Sequence, residues 1–199
     1  MLFQGDSITD CGRNRDDPQD LGKGFAMIAA AWFSALHADK QVEFLNRGVS
    51  GDTTNDLIKR WEEDCIALKP DWVSILIGIN NTWRRYDRNE PTPLQRFEEE
   101  YRALLDRIVN ESNAKLILCE PFLLHVSQNH KAWREDLDPK IEVVHRFAEE
   151  YGAILIPLDK IFQEACSRQT PAFWAPDGVH PSLPGHALIA QAWLRHANA

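Results

Sequence analysis

The sequence lacks the features that would tie it to nucleic acid, a membrane span or a disulfide framework. Basic residues are in deficit: 22 Lys and Arg stand against 30 Asp and Glu, a formal net charge of −8. An acidic chain with no basic stripe is a poor ligand for nucleic acid or anionic lipid, so neither is expected as a partner. No apolar run approaches the roughly 20 residues of a helical membrane span, and no segment has the order of a signal peptide. The four cysteines, at 11, 65, 119 and 166, form no C-x-x-C pair, which excludes the common redox and zinc-knuckle patterns. These absences predict a cytoplasmic protein whose cysteines are small buried hydrophobes. Linkers, internal repeats and low-complexity tracts are missing too, so residues 1–199 read as a single domain. Because Met1-Leu2-Phe3-Gln4 already has strand character, a few native residues are expected to precede it.

What is present is an alternation of hydrophobic periods. Near-continuous apolar runs at 2–4, 42–45, 72–79, 116–119 and 153–158 read as strands. Between them Phe25, Ile28, Ala29, Trp32 and Leu36 follow helical spacing, as do Leu57, Trp61, Cys65 and Leu68. Phe97 to Ile108, Ile141 to Tyr151 and Leu188 to Trp193 continue the pattern, with a shorter helix after Leu158. Apolar strands alternating with helices predict a parallel sheet covered on both faces. The fold class is therefore a three-layer α/β/α sandwich on a five-stranded parallel sheet, of flavodoxin-like type.

In such sheets the chemistry lies beyond the C-terminal ends of the strands. There the sequence places Gly5-Asp6-Ser7, then Ser50-Gly51-Asp52-Thr53, then Gly78-Ile79-Asn80-Asn81, and finally Asp177-Gly178-Val179-His180 before the last helix. Taken singly these are capping and turn residues. Together they supply a hydroxyl nucleophile, three possible oxyanion donors and an acid–imidazole pair. Free serine is a feeble nucleophile near neutral pH, and an imidazole can take its proton and return it to a leaving alcohol. Asp177, three residues before His180, can hold the imidazole in one tautomer.

In order and spacing these blocks resemble those of the SGNH (GDSL) hydrolases. The runs GDSITDCGR, WEED, KPDWVSILIGIN, WRRYD and GVHPS resemble the intracellular acetylxylan esterase branch. The resemblance implies Ser7 as nucleophile, His180 as base and Asp177 as its orienting acid. It also implies oxyanion donors at the Ser7 N–H, Gly51 and Asn80, an acetylated xylo-oligosaccharide substrate, and a homo-oligomer without cofactor or metal. One position departs: the family usually has Gly-x-Asn-Asp, and this chain carries Asn81 in the last place.

Other classes fit less well. A G-x-S-x-G elbow is absent, because Gly48-Val49-Ser50-Gly51-Asp52 lacks the final glycine. There is no P-loop and no H-E-x-x-H. His125 and His130 read as part of a polar lid rather than a metal site. A phosphate or flavin module built on residues 5–9 would leave Asp177 and His180 without a task. A short-chain lipolytic esterase or thioesterase, and a silent sugar-binding relative, remain as alternatives. On the substrate side, Trp83, Arg84 and Tyr86, read as a loop after Asn80, and Trp174, just before Asp177, are expected to contact sugar. Trp32, Trp61 and Trp193 are expected in the core.

Overall fold

The computed structural model describes residues 1–197. Its sheet consists of β1 (Leu2–Gly5), β2 (Leu45–Asn46), β3 (Trp72–Leu76), β4 (Lys115–Cys119) and β5 (Ile154–Ile156). All neighbours are parallel, in the order β2-β1-β3-β4-β5. This is the doubly wound order in which the chain reverses direction across the sheet between β1 and β3. The helices are α1 (Ser7–Asp10), α2 (Phe25–Leu36), α3 (Thr54–Asp64), α4 (Ile79–Asp87) and α5 (Leu94–Glu111), then α6 (His130–Glu150), α7 (Leu158–Ala165), α8 (Pro171–Trp174) and α9 (Leu183–His196). Among the described residues, no helix is long and apolar enough to cross a membrane.

Side chains alternate across the strands and so build two cores. Phe3, Leu76, Ile117, Cys119 and Ile156 face one side and pack against α2, α7 and α9. Leu2, Val73, Ile75, Leu116 and Leu118 face the other side and pack with α3, α5 and the second half of α6. Several polar atoms inside these cores are paired, as burial favours, whereas the Tyr101 hydroxyl in the second core has no partner among the described residues. The Trp193 indole donates to Ser74 Oγ at 3.1 Å, and the Trp61 indole donates to the Leu104 carbonyl at 3.1 Å.

The structure departs from the sequence reading in several places. β2 is Leu45–Asn46 rather than 42–45: its ladder pairs Leu45 with Leu2 and Asn46 with Phe3 of β1, and residues 42–44 add no further pair to it. β3 stops at Leu76, because Gly78, at φ 129°, turns the backbone and caps α4. Consequently Asn80 and Asn81 lie in the first turn of a helix, and residues 83–86 are helical rather than a loop. The helix expected from Ile141 begins at His130 and carries Pro139 within it. Trp32 is 59% exposed, unlike Trp61 and Trp193. α2 is apolar nearly all round, so its periodicity did not single out the buried face of Phe25, Ala26, Ala29 and Ala30. All four cysteines are free thiols, but Cys11 and Cys166 are only half-buried.

Candidate active site

Ser7 opens α1 at the end of β1, rather than riding on an open loop. Asp6 caps that helix, accepting the Ile8 N–H on Oδ1 at 3.0 Å. A first-turn N–H has no intrahelical acceptor, and among the described residues no protein group takes the Ser7 N–H. Ser7 Oγ lies 2.9 Å from His180 Nε2. On the far side of the ring, His180 Nδ1–H donates to Asp177 Oδ2 at 2.6 Å. Asp177 Oδ1 in turn accepts the N–H groups of Val179, at 3.0 Å, and His180, at 2.7 Å. A carboxylate on Nδ1 fixes the tautomer that leaves the Nε2 lone pair facing the serine hydroxyl.

The electrostatics follow from these contacts. Burial alone would lift the Asp177 carboxyl, but the bonds from His180 and Val179 hold it down, at about 2. The Asp177 hydrogen bond raises His180 above the ordinary imidazole value, against the effect of burial. Asp6 is wholly buried, its Oδ2 has no partner, and burial pushes it up to about 7. Its charge also acts on His180, raising the imidazole further. His186, buried behind Cys11, is lowered to about 4 and does not compete as a base at neutral pH.

The other two donor blocks converge on the same place. Gly51 adopts φ 89° in the turn before α3, and no described acceptor takes its N–H. Asn80 is buried, and its Nδ2 donates one hydrogen to the Asp52 carbonyl at 3.0 Å, which aims the amide and leaves a second hydrogen over. The turn is held from below by Asp10, whose Oδ2 accepts both the Ser50 N–H and the Ser50 hydroxyl at 2.9 Å. Arg60 ties the same region together by pairing with Asp52 at 2.7 Å and donating to the Arg47 carbonyl at 2.7 Å. Thr53 caps α3 with Asp56 in a capping box. The sequence reading missed Asp10 because it treated residues 5–10 as a loop; a helix puts residue 10 one turn from Ser7.

Asn81 has its own task. Its Oδ1 accepts the Thr54 N–H at 3.2 Å, and its Nδ2 donates to Thr54 Oγ1 at 2.9 Å. The Thr54 hydroxyl then donates to Glu100 Oε2 at 2.5 Å. The acid of this buried cluster is Glu100, and the residue at 81 acts as donor.

The aromatic expectations divide. Trp83 packs on His180 with ring centres 5.5 Å apart, and on Trp133 at 5.6 Å. Tyr86 stacks on Trp133 at 5.1 Å and donates its hydroxyl to the Ala132 carbonyl at 2.8 Å. Arg84 pairs with Asp87 at 2.6 Å and lies 3.6 Å from the position a Gly51 side chain would take. Trp174 instead donates its indole N–H to the Ala165 carbonyl at 3.1 Å, pinning α8 to α7. His130 belongs to no lid: it is buried at the start of α6, with Nδ1 at 2.9 Å from the Leu124 carbonyl. Among the described residues no cluster of His, Cys, Asp or Glu could hold a metal.

Residues 3–188 match the GDSL-like Lipase/Acylhydrolase family. The chain is 39% identical to an acetylxylan esterase of Geobacillus stearothermophilus, covering 98% of this chain and 92% of that protein. It is 27% identical to thioesterase 1/protease 1/lysophospholipase L1 of Escherichia coli, covering 87% of this chain and 77% of that one. A crystal structure of the Geobacillus esterase superposes with a TM-score of 0.92 at 37% identity, over 100% of this chain and 93% of that chain. With the parallel five-stranded sheet and the four converging blocks, this settles the kinship: the chain belongs to the GDSL-like Lipase/Acylhydrolase family and is a carboxylic ester hydrolase.

Proposed function

We propose that the protein is a serine esterase, one domain over residues 1–199, that removes acetyl groups from acetylated xylo-oligosaccharides. The observation that carries this reading is the unbroken chain from Ser7 Oγ through His180 to Asp177, with the Ser7 and Gly51 N–H groups taking no acceptor among the described residues. The Geobacillus relative supports it too. Solved structures of that esterase include catalytic mutants at a serine, an aspartate and a histidine, the aspartate three positions before the histidine, as Asp177 stands before His180.

Ser7 Oγ attacks the acetyl carbonyl carbon as His180 Nε2 takes its proton. The electron pair displaced onto oxygen is held by the N–H groups of Ser7 and Gly51 and by Asn80 Nδ2. Collapse breaks the bond to the sugar oxygen, which receives the proton from His180, and leaves acetyl-Ser7. A water molecule, deprotonated by His180, attacks that ester and releases acetate and Ser7. Asp177 keeps the imidazole oriented and stabilises its charged form in both halves. Trp83 walls the site beside His180, and with Arg84, Tyr86 and Trp174 it forms the proposed sugar-facing side. We place the protein in the cytoplasm as a homo-oligomer without a cofactor; its free thiols fit a reducing compartment.

Acyl length tests the reading. The indole of Trp83 and the guanidinium of Arg84 crowd the space beside Gly51 and His180. Each methylene that fits adds about 0.8 kcal/mol of binding, whereas one that must displace a packed ring costs more. p-Nitrophenyl acetate should therefore exceed the octanoate by at least about tenfold in kcat/KM, with acetate released from acetylated xylo-oligosaccharides. Equal or better turnover of octanoate, or of acyl thioesters, would move the protein to the lipolytic or thioesterase side of its family.

The pH profile should show the raised His180. A protonated imidazole cannot accept the Ser7 proton, so activity appears as pH rises through the value of His180 in the folded protein. That value is raised by Asp177. The acid limb of kcat/KM should hence inflect above about 6.5, the ordinary imidazole value. Asp177→Asn should move the inflection down; an unmoved limb would mean that another group controls it.

A further inference from the structure

A second hollow lies beside the site, lined by Tyr86, Asp87, Ser127, Asn129, His130 and Trp133 among others, with a volume of about 290 Å³. It is joined to the triad by two separate routes. One runs from His180 to Trp83 at 5.5 Å and from Trp83 to Trp133 at 5.6 Å. The other is the contact of His130 with Gly178, inside the Asp177–His180 turn: a side-chain carbon there would fall 2.7 Å from the His130 ring. Each aromatic step is comparable with the span of one pyranose ring, so the hollow sits where a neighbouring sugar of an oligomer would reach.

Its lining has the character of a sugar site. Tyr86, exposed at the hollow, stacks on the buried Trp133 with an interplanar angle of 11° and is locked by its bond to the Ala132 carbonyl, so its ring is fixed before any ligand arrives. His130 presents Nδ1 to the Leu124 carbonyl, which leaves Nε2 as an acceptor. The side chains of Ser127 and Asn129 are exposed and make no hydrogen bond among the described residues. Asp87 is engaged by Arg84 at 2.6 Å. No lysine or arginine lines the hollow, so nothing there selects an anionic ligand. Neutral donors and acceptors beside the fixed, exposed Tyr86 ring, in a volume at the lower end of ligand sites, fit one neutral sugar unit.

We infer that this hollow is a subsite for an unacetylated pentopyranose unit adjoining the acetylated residue, making the enzyme select oligomers over monosaccharides. The inference rests on the deacetylase reading, and the test separates the two. The paired change Ser127→Ala and Asn129→Ala removes two exposed side-chain partners and should leave the fold unaltered. Its kcat/KM should fall about tenfold more on acetylated xylotriose than on p-nitrophenyl acetate, the loss expected for two neutral hydrogen bonds. In the Ser7→Ala protein, calorimetric titration with unacetylated xylotriose should show binding that the same paired change weakens to a similar extent. Equal losses on the two substrates, or unchanged xylotriose binding, would overturn the subsite while leaving the esterase in place. Failure to release acetate from either substrate would overturn the esterase reading and the subsite with it.

Discussion

Ser7→Ala should lower kcat for p-nitrophenyl acetate by about 10⁴-fold or more, while the melting temperature stays within about 3 °C of the parent. The two halves of this expectation come from the same geometry. The hydroxyl has one described partner, His180 Nε2 at 2.9 Å, so its removal strands no buried group. The α1 backbone is capped by Asp6 and does not use the serine side chain. Without the oxygen there is no acyl intermediate, and His180 and Asp177 have nothing to activate. Members of such a unit are not additive: His180→Ala should cost nearly as much, and the double variant scarcely more. Asp177→Asn should cost less, since it removes orientation and charge but leaves the base. Turnover above a few per cent in purified Ser7→Ala would show that another nucleophile does the chemistry.

How much of this was legible in the sequence depended on whether a signal was local. Ser7, Gly51 and Asn80 could be read as candidates because each follows an apolar run and the doubly wound topology collects strand ends, and Asp177 and His180 because an acid–imidazole pair stands just before the last helix. Their supports could not. Asp10 holds Ser50 from across the sheet edge, and Glu100 reaches Thr54 from a helix 46 positions away. Neither pairing leaves a periodic trace. The boundary of β3 was misread because Ile77 and Ile79 are as apolar as the strand, so hydrophobicity ran past the point where Gly78 turns the chain. That shift matters for function: Asn80 is held by a helix rather than a loop, which makes its amide a fixed donor. The exposure of Trp32 was hidden for the opposite reason, an excess of apolar residues on α2 that gave no preferred face.

Asn80→Ala should lower kcat by about 10²- to 10³-fold with little change in KM, the loss typical of one oxyanion donor. The amide is placed by a single bond, Nδ2 to the Asp52 carbonyl at 3.0 Å, and under the proposed mechanism its remaining hydrogen serves only a charge that develops during reaction. Removing it also leaves the Asp52 carbonyl short of a donor, a cost of about 1–3 kcal/mol to stability, which thermal unfolding would register separately from the kinetic loss. Asn81 is the internal control. It neighbours Asn80 in sequence, yet its amide is spent on Thr54 and, through the Thr54 hydroxyl, on Glu100. Asn81→Asp would replace the donor facing Thr54 Oγ1 with an acceptor, so one hydroxyl hydrogen would have to serve two buried carboxylates. Its effect should appear in stability more than in kcat, and adding Glu100→Gln should restore what was lost, because the cluster then again holds one acid and one amide. If Asn80→Ala kept kcat within about threefold of the parent, or raised KM instead, the amide would be a substrate contact. The oxyanion would then rest on the Ser7 and Gly51 N–H groups alone.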